Sequence, residues 1–262
     1  NYLRDNNVVA EKSIRNQWNH FTTNDITTLN TTKASKDIQP LLSSTWNQDW
    51  PYNALCPEDN AGPGKHVYAG CVATAMSIIM HYYRYPLQGI GEEGYYAGSY
   101  GYLSVNYGET EYNWDAMMNQ INGSSGTEAI SAIAELQYHC GVAVHMNYSP
   151  DGSGAYSFNV PDAIKSHFGY SNNAQHISKG NYTNAIWMTY LKTDLDAKHP
   201  LYYSGQSNDG GHAFVCDGYE GTNFHFNFGW SGSGNGFFSL NDVGGFSSGQ
   251  ACVRNFYPDD NY

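Results

Sequence analysis

Residues 69–86 read AGCVATAMSIIMHYYRYP, and the architecture turns on this stretch. After Gly70, apolar side chains recur at Val72, Ala75, Met76, Ile79, Met80 and Tyr83, the spacing of a helix with a face in a core. Pro86 ends it, because proline disfavours a helical residue before it. Cys71 therefore stands at a helix entrance, reached through a glycine turn. The first N–H groups of a helix lack internal partners, and with the helix dipole they favour a thiolate placed there. Gly70 also leaves room for a substrate backbone. A buried cysteine at a helix start accounts for this stretch equally well.

Working outward, Thr127–Cys140 reads as a second helix, with Ile130, Ile133, Ala134 and Leu136–Gln137 on its stripe and Gly141 at the C-terminal cap position. Val160–Phe168 and Asn184–Ala197 read as two more. Past His199-Pro200 the period changes. Leu201–Ser204, Ala213–Cys216, Asn223–Phe228, Gly236–Leu240 and Ala251–Phe256 read as strands separated by Gly, Asn and Asp turns. Helices first and an antiparallel sheet after them predict an α+β fold. Residues 40–66 read as an irregular loop, and 89–112 as loops or short strands. Residues 1–38 are polar, with a helix or two around Val8–Trp18 at most. A boundary near 37–40 separates this extension from a domain over 39–262.

Composition narrows the function classes. Of 262 residues only 14% are charged, the net charge is -12, and 23 are Tyr. No basic stripe offers itself to nucleic acid. No apolar run approaches the roughly 18 residues of a membrane span. No signal peptide opens the chain at Asn1, so the expectation is either a cytosolic protein or a sequence already processed. Low charge with abundant Tyr, Asn, Ser and Gly suits an extracellular protein. The five cysteines, Cys56, Cys71, Cys140, Cys216 and Cys252, are odd in number, so at least one thiol stays unpaired. No C-x-x-C pair suggests a zinc site, and no metal is expected. Cys140, Cys216 and Cys252 sit in apolar frames and read as buried small hydrophobes.

The chemical reading needs partners for Cys71. His212 follows Gly210-Gly211 at the mouth of an apolar strand, where the glycines leave space for a substrate. By strand alternation Asn227 shares a face with His225, and its amide is placed to fix an imidazole tautomer. Phe228 and Trp230 would shield that bond from water. Gln48, 23 residues before Cys71, is a candidate oxyanion donor. His225 is a lesser candidate for the base. His139, His145, His167 and His176 read as surface or packing residues, and Asp217 and Asp242 as turn residues. The glycine-rich loop 242–249 is expected to border the cleft.

Four ordered segments, WNQDWPYN (46–53), GCVATAMSIIMHYYRYP (70–86), GGHAFVCDGY (210–219) and NFHFNFGWSGSGNGFFSLN (223–241), resemble the streptopain-like bacterial cysteine peptidases of the papain superfamily. The 141 residues from Cys71 to His212 fall within the roughly 130–150 that separate cysteine and histidine in papain-like proteases. The resemblance implies a papain-like fold, a helical part carrying the cysteine packed on a sheet part carrying the histidine. It implies Cys71 as nucleophile, His212 as general base, Gln48 as oxyanion donor and Asn227 as a further site residue. Gly70, Gly211 and Trp230 would contact protein or peptide substrates, with an apolar pocket for the side chain one residue before the cleaved position. It further implies secretion, no cofactor, and an inhibitory propeptide, of which residues 1–38 would be the tail. The family carries Trp where this chain has Phe228, and the extra cysteines depart from its pattern. Two other readings stand beside it: an acyl transferase or amidase using the same dyad, and a non-catalytic binding module built on clusters such as Tyr95-Tyr96 and Tyr100–Tyr102.

Overall fold

The computed structural model describes residues 37–259. The helix expected around Val8–Trp18, and all but the last two residues of the extension expected over 1–38, lie outside the described residues. A compact body begins at Asp37.

Helix α1 (Cys71–Tyr83) is its axis, and every residue from Val72 to Met80 is buried. The expected one-sided stripe is thus an all-round buried helix, as an apolar segment becomes when neighbours enclose it. Helix α2 (Thr127–Ala143) packs on one side and the sheet on another. The two polar residues within the buried stretch Val72–Met80 are satisfied by protein partners: Thr74 Oγ1 donates to Gln137 Oε1 at 2.7 Å and Ser77 Oγ to the Ala73 carbonyl at 2.7 Å. Helix α2 runs through Gly141 instead of ending there. Gly141 is needed for close approach, since a Cβ would lie 2.2 Å from the Tyr148 hydroxyl.

A hairpin of β1 (Glu92–Tyr96) and β2 (Tyr102–Asn106) covers part of the 89–112 region. Helix α3 (Val160–Phe168), strand β3 (Gln175–Ser178) and helix α4 (Asn184–Asp196) follow. Then come β4 (Leu201–Ser207), β5 (Gly210–Glu220), β6 (Asn223–Asn227), β7 (Gly236–Ser239) and β8 (Ser248–Arg254). The main sheet is antiparallel in the order β3-β8-β4-β5-β6-β7. The α+β expectation holds. Strand β3 was not legible, because four residues with exposed ends carry no alternation to read.

Strand β5 is the longest and packs directly against α1. Its pairing with β6 slips between Cys216 and Gly218. Asp217 sits at that bulge, 1% exposed, and is not the turn residue expected. Its carbonyl accepts from Leu41 N–H at 3.0 Å, and its carboxylate takes Leu42 N–H at 3.0 Å and His225 Nδ1 at 2.6 Å. Ile38 and Tyr219 exchange backbone hydrogen bonds beside it. Residues 38–42 are thereby fastened along β5, which delivers the following loop to the start of α1.

On the other side of the sheet, α4 covers a second core of Trp187, Leu191, Leu195, Tyr203, Phe214 and Phe226. Arg254 at the end of β8 makes a two-point ion pair with Asp194 of α4, at 2.8 and 3.2 Å. Cys56, Cys140, Cys216 and Cys252 are all buried free thiols, the last three in the packing role expected of them.

Candidate active site

Cys71 and His212 line one cavity of about 190 Å³, with Val72, Ser153, Ala155, Gln206, Gly211 and Ala213 among its walls. The fold brings them together through the α1–β5 contact: the helix presents its first residue where the strand presents its third. The N–H of Ala213, next in chain to His212, faces the Cys71 sulfur together with those of Val72 and Cys71 itself. Burial nonetheless pushes the Cys71 thiol up, and these N–H groups only oppose the rise. Desolvation of the charge thus works against the stabilisation a helix entrance gives a thiolate.

His212 lies inside β5, which begins at Gly210 instead of at the Ala213 expected. Its Nε2 donates to the Phe228 carbonyl at 2.8 Å. A carbonyl can only accept, so the neutral ring carries its proton on Nε2 and keeps Nδ1 as the base. Burial lowers the His212 pKa to about 4 against the pull of that carbonyl. Trp230 stacks over the ring at 4.6 Å and Phe246 closes another side at 5.4 Å. Phe246 brings the 242–249 loop to the site, as expected.

Asn227 does not hold the imidazole. Its Nδ2 donates to the Ser44 carbonyl at 2.8 Å and its Oδ1 accepts from Gly229 N–H at 3.1 Å. Asn235 Oδ1 takes the Phe228 N–H at 2.9 Å. The two asparagines pin the peptide groups on either side of the Phe228 Cα, the second of which carries the carbonyl that orients His212. Alternation had placed Asn227 on the correct face of β6 but could not show that the chain turns at 228 and offers its backbone instead.

Gln48 is fixed by its backbone. Its carbonyl accepts from Ala69 N–H at 2.9 Å, two residues before Cys71, and its N–H donates to Asn47 Oδ1 at 2.8 Å. The Asn47 carbonyl accepts from Gln137 Nε2 at 2.9 Å, and Gln137 accepts from Thr74 of α1. A relay whose Thr74–Gln137 step is buried thus ties the Gln48 loop to the helix carrying Cys71. The Gln48 side-chain amide makes no hydrogen bond among the described residues. Gln137 looked like part of an apolar stripe, and only the tertiary contact reveals its role.

The remaining candidates fall as follows. Gly70 has φ 91°, and a Cβ there would lie 2.7 Å from the Met146 side chain, so its demand is conformation and packing. Gly211 lines the cavity, and Trp230 covers His212 from outside it. His225, paired with Asp217, does not line the cavity. His139 and His167 are buried packing residues against Tyr107, and Asp242 caps a turn through Gly245 N–H. Ser157 and Tyr202, which share a 2.7 Å hydrogen bond beside the cavity, had no sequence signal. Among the described residues no group of three or more His, Cys, Asp or Glu is placed to hold a metal ion, and no helix is long and apolar enough to cross a membrane.

A cysteine on the first turn of a buried helix, facing a histidine on an antiparallel sheet, is the arrangement of papain-like cysteine peptidases. Residues 46–238 match the peptidase C10 family. The chain belongs to that family. It is 36% identical over 232 residues to the thiol protease/hemagglutinin PrtT of Porphyromonas gingivalis, covering 82% of this chain and 26% of that protein. It is 33% identical over 250 residues to streptopain of Streptococcus pyogenes serotype M1, covering 84% and 63%. The chain thus spans only part of both curated relatives. The solved structure of active interpain A cysteine protease from Prevotella intermedia superposes with a TM-score of 0.78 at 34% identity, over 84% of this chain and 95% of that one. A prointerpain A fragment from the same organism gives 0.77 at 33% identity.

Proposed function

We propose that the protein is a secreted cysteine endopeptidase, made as a zymogen, that cleaves peptide bonds through Cys71 and His212. The observation that carries this is the shared cavity, in which Phe228 fixes the His212 tautomer with Nδ1 left as base. Burial favours the neutral thiol of Cys71. As its sulfur attacks a peptide carbonyl, His212 Nδ1 takes the thiol proton. The developing oxyanion forms against the Cys71 N–H and the Gln48 amide, and the Ala213 and Val72 N–H groups beside the sulfur offset its burial while it carries charge. His212 returns the proton to the leaving amine, giving a thioester. It then takes a proton from water, which releases the acid and restores the thiol. Membership of the C10 family supports the reaction class, and the pro-form of interpain A supports a propeptide, to which residues 1–38 would contribute. The low charge and high tyrosine content support an extracellular setting.

Casein digestion with and without an amine acceptor tests the reaction. Hydrolysis products are expected in both, and predominant transfer to the amine would replace this reading with an acyl transferase. A second measurement tests the orienting role of Phe228. Asn227→Ala is expected to cost about 1–3 kcal/mol, by leaving buried partners unpaired. His212 is neutral above its lowered pKa, so the acidic limb of kcat/KM is expected near about 4. That limb should stay in place in Asn227→Ala. A limb moved further down, as loss of an acceptor on the imidazole requires, would return the orienting role to Asn227.

A further inference from the structure

We propose that the cleft selects peptides carrying lysine or arginine side chains close to the scissile bond, an inference that rests on the peptidase reading above. Four chain segments meet around Cys71 and His212: 46–50 with Gln48, 149–158 and 206–211 on the cavity walls, and 242–249 with Phe246 against the imidazole. Each carries one carboxylate, Asp49, Asp151, Asp209 and Asp242 in turn, and none carries a lysine or arginine. The 227–235 turn that holds Phe228 and Trp230 carries no charge at all.

Two of these carboxylates are poised for an incoming cation. Asp151 and Asp209 are exposed, each two residues from a cavity-lining residue, Ser153 and Gly211. Their backbone N–H groups are tied by Ser149 and Ser207, but their carboxylates have no hydrogen-bond or ion-pair partner among the described residues. Lys179, on the flank of the 242–249 loop, does not offset them. Its ammonium is held by the Leu240 carbonyl and Gln250 Oε1.

A separate feature points to the same ligand. Tyr156 and Phe158 are 72% and 60% exposed, stacked on each other at 5.1 Å, and they flank the cavity-lining Ser157. Exposed aromatic rings attract a cation over their faces. Trp230 offers another ring above His212. Aromatic faces with free carboxylates and no competing cation suit a lysine or arginine side chain whose stem lies on the rings. The cavity itself is lined by neutral side chains besides the catalytic pair, so the selection acts on the flanks of the cleaved bond.

The test uses the full chain and three quenched peptides sharing one neutral core, flanked by Lys, Ser or Glu. The Lys-flanked peptide is expected to be cleaved with a kcat/KM about 5–10-fold above the Ser-flanked one at low salt, the advantage shrinking as salt screens it. The Glu-flanked peptide should be slowest. Asp151→Asn with Asp209→Asn is expected to bring the Lys-to-Ser ratio close to one. An equal change of charge at exposed Glu109 and Glu111, which line no part of the cavity, should leave that ratio alone. Equal rates for Lys and Ser flanks overturn the proposal while leaving the peptidase reading intact. So does a ratio that falls as much with the distant pair as with the cleft pair. Absence of cleavage of every peptide, with casein also intact, removes the peptidase reading and this inference with it.

Discussion

Cys71→Ala is expected to lower kcat/KM for peptide hydrolysis by about 10⁴-fold or more, with thermal stability close to that of the parent. Everything else in the site acts through that sulfur. His212 has a fixed tautomer, but no other nucleophile lines the cavity with comparable chemistry: its hydroxyls, Ser153, Ser157 and Ser204, are far weaker nucleophiles than a thiol. The four other thiols are deep in the core, and burial raises each of them well above the ordinary cysteine range. Cys71 alone is part-exposed and lines a cavity, so alkylation of the folded parent should label it alone, and activity should disappear in step with that label. Retention of more than about one part in a hundred of the activity in Cys71→Ala, far above what loss of a nucleophile leaves, would sink the assignment. Peptide mapping that puts the inactivating label on another cysteine would do the same.

The largest stability effect belongs to a place remote from the chemistry. Arg254→Met is expected to destabilise the fold by about 3–5 kcal/mol, because it strands a buried carboxylate without its partner. Asp194 is 4% exposed, and Arg254 grips both of its oxygens from the neighbouring strand. The guanidinium also lies 4.4 Å over the Tyr190 ring, so α4 is joined to β8 by charge and by packing at once. Adding Asp194→Asn to Arg254→Met should recover part of the loss, since the remaining group is then neutral. Urea unfolding of the two variants gives both numbers. A loss under about 1 kcal/mol in Arg254→Met would mean that water reaches Asp194 and that the pair behaves as a surface one.

The site was legible where a residue announces its chemistry by type and position. Cys71 could be placed at a helix entrance because the apolar period after it is unmistakable. His212 stood out because glycines precede it and an apolar strand follows. Gln48 needed the family resemblance, since a lone glutamine in a loop says nothing. The errors share one cause. Asn227 has the right chemistry for orienting an imidazole and lies on the right face of β6, yet a backbone carbonyl does the work, and backbone groups leave no mark in sequence. Asp217 has turn-like composition around it but occupies a bulge, which exists only through the offset of β5 against β6. The helix entrance favours a thiolate at Cys71, while burial, a property of the whole packing, works the other way.

Local order was settled by the chain itself. The period of 3.6 in α1, the change to short apolar runs past residue 200, and the glycines that break the strands are short-range facts, enforced by sterics and by the need to bury apolar faces. Tertiary structure alone decided which atoms meet. It set Ala213 N–H against the Cys71 sulfur, turned the Phe228 carbonyl toward His212, and ran the Thr74–Gln137–Asn47 relay between segments distant in sequence. Such contacts depend on how helix and sheet are offset in space, and residue identities constrain that offset only collectively, through the packing of the complete core.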